Sequence, residues 1–188
     1  SIRRGLTDLT RFSGRDSRAQ FWPYALFVTG LTMVAAAVGM GVTMGQVFAR
    51  LQKFAAEHPD QATVLSGPDG YSIQIQGDHP ELIMDFTPMV VIDSVAVAAA
   101  VLLLAAAVTR RLHDRGRQGY WGLAPLPFLA VGLSLLPRVF AGSGEGAESL
   151  ILALFFNNVV YLVLLIVLVV LLAKGSDLGV NRFGPPAA

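Results

Sequence analysis

Apolar residues fill four long stretches of the chain, and polar residues are concentrated between them. A transmembrane helix needs about 20 consecutive, mostly apolar residues, and each stretch approaches or exceeds that length. We therefore predict an all-α membrane protein whose fold is a bundle of four transmembrane helices. The predicted spans are residues 22–45, 87–109, 122–140 and 150–173.

The polar segments that flank and join these spans differ in character. In residues 1–21, Ile2, Leu6, Leu9 and Phe12 recur at helical spacing among arginines. This pattern predicts an amphipathic helix on the membrane surface, with a disordered basic tail as the alternative. The other polar segments are residues 46–86, 110–121, 141–149 and 174–188.

Residues 46–86 form the one sizeable polar excursion from the membrane. Phe48, Leu51 and Phe54 indicate that the first helix continues as an amphipathic extension, which Pro59 then ends. A β-hairpin follows, because residues 71–76 alternate between apolar and polar and a Gly-Pro-Asp-Gly turn separates them from residues 62–66. A small helix and hairpin outside the membrane are therefore predicted.

Composition agrees with placement in a membrane. Charged residues make up 14% of the chain and hydrophobic residues 54%, whereas about a quarter of the residues in an ordinary soluble domain are charged. The sequence has no cysteine. That excludes disulfides, thiolate metal sites and cysteine nucleophiles.

The distribution of lysine and arginine predicts the orientation. Eleven of the fourteen basic residues lie in residues 1–21, 110–121 and 174–188, which four spans place on one side of the membrane. Short cytoplasmic segments carry such an excess of basic residues. We therefore predict that both termini and the arginine-rich 110–121 loop are cytoplasmic. The 46–86 excursion and the 141–149 turn are predicted to be periplasmic.

Three of the cytoplasmic segments resemble a known family. They are Phe-Ser-Gly-Arg-Asp-Ser-Arg-Ala-Gln-Phe-Trp (12–22), Arg-Arg-Leu-His-Asp-Arg-Gly-Arg-Gln-Gly-Tyr-Trp (110–121) and Gly-Val-Asn-Arg-Phe-Gly-Pro (179–185). Together they are similar to the YhaH-like family of small bacterial inner-membrane proteins, domain of unknown function 805. The resemblance implies a four-helix, multi-pass protein of the bacterial inner (cytoplasmic) membrane, and no established activity. The chain departs from the family in its long 46–86 excursion and in having Gln118 where serine is commoner.

The same three segments supply the first candidate site. The four-span topology brings them to one face of the bundle, where guanidinium groups suit phosphate or carboxylate partners. We predict a surface that binds anionic phospholipid or an acidic protein partner. Internal ion pairs are the alternative, with Arg110 bonded to Asp114 and with Arg15 or Arg18 bonded to Asp16 or Asp114. The candidate residues are Arg15, Arg18, Arg110, Arg111, His113, Asp114, Arg115, Arg117, Asn181 and Arg182.

Polar residues inside the spans supply the second candidate site. Asp93, Ser134, Asn157 and Asn158 fall at a similar depth in three different spans. Polar groups in the membrane are costly unless they face a partner or water. We predict a buried polar layer in which Asp93 is hydrogen-bonded to Asn157 or Asn158. The layer is either structural or a site for a proton or small solute.

The sequence offers little for catalysis or cofactors. His113 and Asp114 could form a base dyad, but adjacent helical residues point about 100° apart and no nucleophile recurs beside them. His58 and His79, with their acidic neighbours, lack the spacing of a metal site. We predict no enzyme activity, no metal, no cofactor and no nucleic-acid partner.

Two functions are favoured, with an enzyme that acts on lipid headgroups as a distant third. The first is a non-catalytic accessory subunit that packs against a larger membrane protein complex. Gly41 and Gly45, whose spacing permits close helix approach, and a partner face of Phe48, Leu51 and Phe54 favour this function. The alternative is a lipid-responsive protein, or a transporter of protons or small solutes, that uses Asp93 and the arginine surface.

Overall fold

The computed structural model describes residues 2–67, 70–79, 82, 85–141 and 146–186. Within these residues the chain forms five α-helices, a two-stranded antiparallel sheet and a short 3₁₀ helix at Gly119–Leu123. The helices are α1 (Ile2–Thr7), α2 (Arg18–Glu57), α3 (Thr87–His113), α4 (Leu126–Ala141) and α5 (Ala147–Ala173). The strands are β1 (Ala62–Gly67) and β2 (Gly70–Ile75).

Four helical stretches among the described residues are long and apolar enough to cross a membrane. They are Arg18–Glu57, Thr87–His113, Gly119–Val139 and Glu148–Ala173. Their number indicates a multi-pass membrane protein. The prediction of a mostly helical chain with four helices long and apolar enough to span a membrane is confirmed, and the orientation of the termini stays a prediction.

Helix α2 is longer than its predicted span at both ends. It begins at Arg18, where Ser17 and Gln20 form a capping box, and it ends at Glu57, two residues before Pro59. Its 40 residues correspond to about 60 Å at the helical rise. Because the hydrocarbon core is only about 30 Å thick, roughly half of α2 extends beyond it.

The predicted surface helix at the N-terminus is confined to α1. Residues 8–17 are not helical, and within this segment the carbonyls of Asp8 and Arg11 accept hydrogen bonds from the Arg110 guanidinium. Helix α1 itself packs directly on α2. A Cβ atom added at Gly5 would lie 2.2 Å from Cγ of Tyr24, so this contact requires glycine.

The spanning helices associate mainly as two pairs, α2 with α3 and α4 with α5. At one end of the bundle α2, α3 and α5 converge on a shared apolar core. There the Tyr24 hydroxyl also donates a hydrogen bond to the Leu103 carbonyl, at 3.0 Å. The buried core residues are Phe21, Tyr24, Ala25, Val28, Ala107, Leu112, Leu168 and Leu172.

The hairpin lies where the alternating pattern predicts it, with Ala62 opposite Ile75 and Gly67 opposite Gly70. It and the segment that follows pack against the extension of α2. Tyr71 meets the Phe48 ring edge-on, with centroids 5.5 Å apart, and His79 meets the Phe54 ring at 4.5 Å.

These contacts correct the predicted partner face. Phe54 is only 6% exposed and stacks on His58 as well, so the chain itself covers it. Leu51 is half-buried and Phe48 remains exposed. Phe54 is therefore not free for a partner, because it already lies against His79 in the segment that follows the hairpin.

The start of α3 is held by Asp85, whose Oδ1 accepts a hydrogen bond from the Thr87 backbone N–H at 2.9 Å. The hydrogen bonds from Thr87 lower the pKa of Asp85, and Arg50 adds to the effect. Arg50 lies 3.9 Å from the Asp85 carboxylate. This exposed pair links the extension of α2 to α3.

Candidate functional site

Five charged residues lie buried together at the end of the bundle where α2, α3 and α5 converge. They are Arg15, Asp16, Arg110, Arg111 and Asp114, and none is more than 4% exposed. We call these five residues the charge cluster, and this end of the molecule the cluster end. A buried charge is costly unless it is paired and hydrogen-bonded, so the partners of each residue determine what the cluster does.

Arg110 joins α3 to the segment before α2. The helix continues through the arginine motif to His113, which places Arg110 in the last turn. Its Nε donates to Oδ2 of Asp16 at 2.7 Å, and its Nη1 donates to the Asp8 carbonyl at 2.8 Å. The predicted pairing of Arg110 with Asp114 is therefore wrong. Asp16 takes that position because its own backbone N–H donates to the Arg110 carbonyl.

Arg111 joins α3 to α5. Its Nε donates to the Leu172 carbonyl at 2.9 Å, and its Nη2 donates to the Lys174 carbonyl. The last carbonyls of a helix have no partner within the helix, and that end carries partial negative charge. Arg111 therefore caps α5, while its Nη1 also contacts the Asp114 carboxylate and the Ser176 hydroxyl.

Arg15 joins the first segment to the C-terminal tail. Its Nε lies 3.1 Å from Oδ1 of Asp114, so this predicted alternative pairing is present. Its Nη1 donates to the carbonyls of Gly179 and Gly184 at 2.8 and 3.2 Å. Its Nη2 donates to the Asp177 carbonyl. One guanidinium thus holds three backbone positions of the tail against α3.

A tight turn at Asn181 and Gly184 locks the tail in place. The Asn181 side chain donates to the His113 carbonyl at 3.0 Å, and the Phe183 ring stacks on the His113 ring with centroids 3.8 Å apart. Gly184 has a φ of +116°, which favours glycine. His113 is therefore occupied by Phe183 and by the Gly14 carbonyl, and Asp114 by two arginines, so they form no base dyad.

The remaining arginines of the predicted site point outward. Arg18, Arg117 and Arg182 are exposed, and Arg182 donates to the Gly116 carbonyl at 3.1 Å. Arg115 is partly exposed and lies 3.5 Å from the Asp177 carboxylate. The structure thus brings the three motifs together as predicted, but it divides their arginines into an inner, paired set and an outer set.

Asp16 is a member of the charge cluster that the predicted set of site residues omits. Charge balance is the signal that could have identified it. Three buried arginines need more carboxylate than Asp114 alone supplies, and Asp16 directly follows Arg15 in the first motif. Asp16 also lies 3.0 Å from the exposed Arg4.

The family model described as Protein of unknown function (DUF805) matches residues 9–185, a stretch that contains all three motifs and the whole charge cluster. The chain belongs to the DUF805 family. The resemblance seen in the three motifs is therefore confirmed. Searches of curated proteins and of solved structures found no significant match.

The predicted polar layer is not formed in this DUF805 chain. Asn157 donates to the Phe128 carbonyl of α4 at 2.9 Å, and Ser134 donates to the Val131 carbonyl of its own helix. Asp93 instead faces α2, where a Cβ added at Gly39 would lie 3.2 Å from its Oδ1. Asn158 is exposed. The predicted hydrogen bond from Asp93 to Asn157 or Asn158 is wrong because the two polar groups belong to different helix pairs.

Asp93 nevertheless has an unusual environment. Its Oδ1 is buried and has no hydrogen-bond partner among the described residues. Within the described part of the chain, no three His, Asp or Glu side chains are grouped closely enough to hold a metal ion. The DUF805 chain therefore presents two chemically distinct features, a cluster of charges joined by ion pairs and a carboxylate between α2 and α3 whose buried Oδ1 has no partner among the described residues.

Proposed function

We propose that this DUF805 protein is a non-catalytic accessory subunit of a larger protein complex in the bacterial inner membrane, and that it binds anionic phospholipid at its cluster end. The observation that carries the proposal is the division of the arginines. Arg15, Arg110 and Arg111 are buried and fully used by internal partners. Arg11, Arg18 and Arg117 are exposed, and their guanidinium groups have no ion pair with any described residue.

The surroundings of the outer arginines support contact with lipid headgroups. Tyr120 and Trp121 follow Arg117 closely and are 63% and 43% exposed. Aromatic residues of this kind are enriched at the boundary between headgroups and hydrocarbon. A basic residue beside an anionic leaflet contributes about 1 kcal/mol, so three such residues favour an anionic over a zwitterionic lipid. The excess of basic residues at this end favours a cytoplasmic location for it.

The contacts of the titratable side chains favour a structural role for the charge cluster over catalysis. Asp16, His113 and Asp114 each contact backbone or side chains of the cluster end. A general base needs a free lone pair within reach of a substrate proton. The cluster therefore supports the bundle, and the outer arginines remain for ligand binding.

The experiment is lipid retention measured by native mass spectrometry. The protein is extracted from membranes that contain equal amounts of phosphatidylglycerol and phosphatidylcholine. We expect the wild type to retain phosphatidylglycerol, and the triple variant R11Q/R18Q/R117Q to lose most of it. The matched control is R50Q/K53Q/R138Q, which removes three exposed basic residues elsewhere on the molecule. Equal retention of the two lipids by the wild type would refute the proposal.

Packing against another membrane protein is the second candidate, favoured by Gly41 and Gly45 on α2. Both are exposed, and a Cβ added at either would meet no atom within 4 Å. Small residues at this spacing let two helices approach closely. The double variant G41L/G45L should lose a co-purifying membrane protein that M40F/M44F retains, because Met40 and Met44 are exposed on a different face of the same helix. An unchanged set of co-purifying proteins in G41L/G45L would count against this function.

A further inference from the structure

A cavity of about 620 Å³ opens between the two helix pairs on the side of the cluster end. Helices α2, α3 and α5 contribute to its walls, and the 3₁₀ helix with the start of α4 closes another side. Its volume falls within the range of roughly 300–1,000 Å³ that is typical of small-molecule sites. The cavity is distinct from the charge cluster, whose five residues do not line it.

The length of the cavity matches one leaflet of a bilayer. Along α3 it extends from Val97 to Thr109, which is about 18 Å at the helical rise of about 1.5 Å per residue. One leaflet contributes half of the roughly 30 Å hydrocarbon core. Since α3 ends at His113, the cavity runs from near the membrane surface to about the bilayer centre. A lipid chain has this length, whereas a partner helix would cross both leaflets.

The walls of the cavity suit hydrocarbon. No charged residue lines it, and alanine, valine and leucine dominate its surface along α3 and α5. The Thr32 hydroxyl, one of the few polar groups, donates to the Val28 carbonyl of its own helix at 3.0 Å. The interior therefore has few groups that could form hydrogen bonds with a polar solute, and its apolar walls fit a hydrocarbon chain.

Two exposed arginines, Arg11 and Arg117, are close in sequence to residues that line the surface end of the cavity. Phe12 and Gly119 belong to its lining; Arg11 directly precedes Phe12, and Arg117 comes two residues before Gly119. Both arginine side chains are exposed. Tyr120, 63% exposed, lines the cavity at the same end. The surface end of this apolar cavity, which is about as long as one leaflet is thick, therefore has positively charged residues close to it in sequence.

We propose that the cavity binds one acyl chain of an anionic phospholipid whose phosphate group lies against Arg11 and Arg117. This inference rests on the proposed function and assigns a site to it. The occupant is a lipid of the leaflet at the cluster end. The bound chain fills the space between the helix pairs, and the headgroup neutralises the arginines that the charge cluster leaves unpaired.

The test is photocrosslinking in nanodiscs with phosphatidylglycerol that carries a diazirine in its acyl chain. We expect labelling to concentrate at Val101 and Ala105, which line the cavity, and to exceed labelling at Leu102, which is 74% exposed on the outer face of α3. In V101F the labelling of Ala105 should fall about tenfold, because the added ring occupies the space of the chain. The matched control is V95F on the same helix, where Val95 is 65% exposed and outside the cavity.

The outcomes separate this inference from the proposed function. Retention of phosphatidylglycerol over phosphatidylcholine, with labelling spread evenly over Val101 and Leu102, would overturn the cavity site and leave lipid binding standing. Equal labelling of Val101 by phosphatidylglycerol and by phosphatidylcholine that carries the same diazirine would overturn the assignment of an anionic lipid to the cavity, while the retention experiment would still decide the proposed function. Recovery of a neutral isoprenoid or quinone in place of phospholipid would overturn the inference. If V101F does not fold, A105L replaces it, and the labelling of Val101 is compared between A105L and the wild type.

Discussion

The cluster end and the middle of the bundle both bury polar side chains, and they use them in opposite ways. At the cluster end, three arginines and two aspartates tie the N-terminal segment, α3, α5 and the C-terminal tail together. In the middle, Asp93 lies between α2 and α3, and Asn157 lies between α5 and α4. The charges thus join four segments at one place, whereas each of these two polar groups in the middle lies within a single helix pair.

The difference follows from the supply of hydrogen-bond partners. Helix ends and loops expose carbonyls that lack a partner, and a guanidinium has five donors in a fixed fork. Arg15 and Arg111 can therefore each bind several carbonyls of the tail and of α5. Inside a spanning helix the carbonyls are already bonded, so a polar side chain there finds one partner or none.

The largest loss of stability is expected from a substitution that disrupts the charge cluster. D114N leaves Arg15 and Arg111 buried without their carboxylate, and removing one partner of a buried pair costs about 3–5 kcal/mol. We expect a large fall in the thermal stability of the protein in detergent, followed by circular dichroism. The matched control is D177N, because the pair of Asp177 with Arg115 is partly exposed and should contribute less than about 1 kcal/mol. Equal losses in the two variants would show that burial of the cluster is not what stabilises this end.

A smaller effect is expected from the C-terminal turn alone. F183A removes the ring that stacks on His113, and such aromatic contacts contribute about 0.5–1.5 kcal/mol. Hydrogen exchange of residues 174–186 should accelerate while α2 and α3 stay protected. L178A is the control, since Leu178 is 94% exposed. Acceleration throughout the bundle would mean that the tail carries more of the fold than the structure indicates.

The smallest expected effect is the coupling energy between Asp93 and Asn157, which tests whether they act separately or belong to one polar layer. In a double-mutant cycle of D93N and N157A, groups without shared partners should be additive within about 0.3–0.5 kcal/mol. The measurement is the free energy of unfolding in detergent for the wild type, both single variants and the double variant. A coupling energy above about 1 kcal/mol would restore the contact that the sequence predicts and the structure lacks. The pair A96S and N157A provides the reference for background coupling.

The predictions for the arginine surface and for the partner face failed in part, because internal ion pairs bury some of the arginines and another segment of the chain covers Phe54. The three motifs indicated one composite surface, and their proximity followed from four spans. Whether an arginine faces inward depended on partners far away in the chain: the carbonyls of Asp8 and Arg11 for Arg110, and carbonyls within residues 172–184 for Arg15 and Arg111. Likewise Phe54 had the pattern of an exposed face, but the segment after the hairpin covers it.

Hydropathy by itself determined the four spans, because about 20 apolar residues have no other stable placement than a membrane-crossing helix. Alternation and turn residues determined the hairpin, and the three motifs identified the family. The tertiary structure alone decided that Arg110 pairs with Asp16, that Arg111 caps α5 and that Asp93 faces Gly39. Those outcomes depend on which helix ends meet and on which donors and acceptors lie within about 3 Å of each other, and local sequence does not specify such distances.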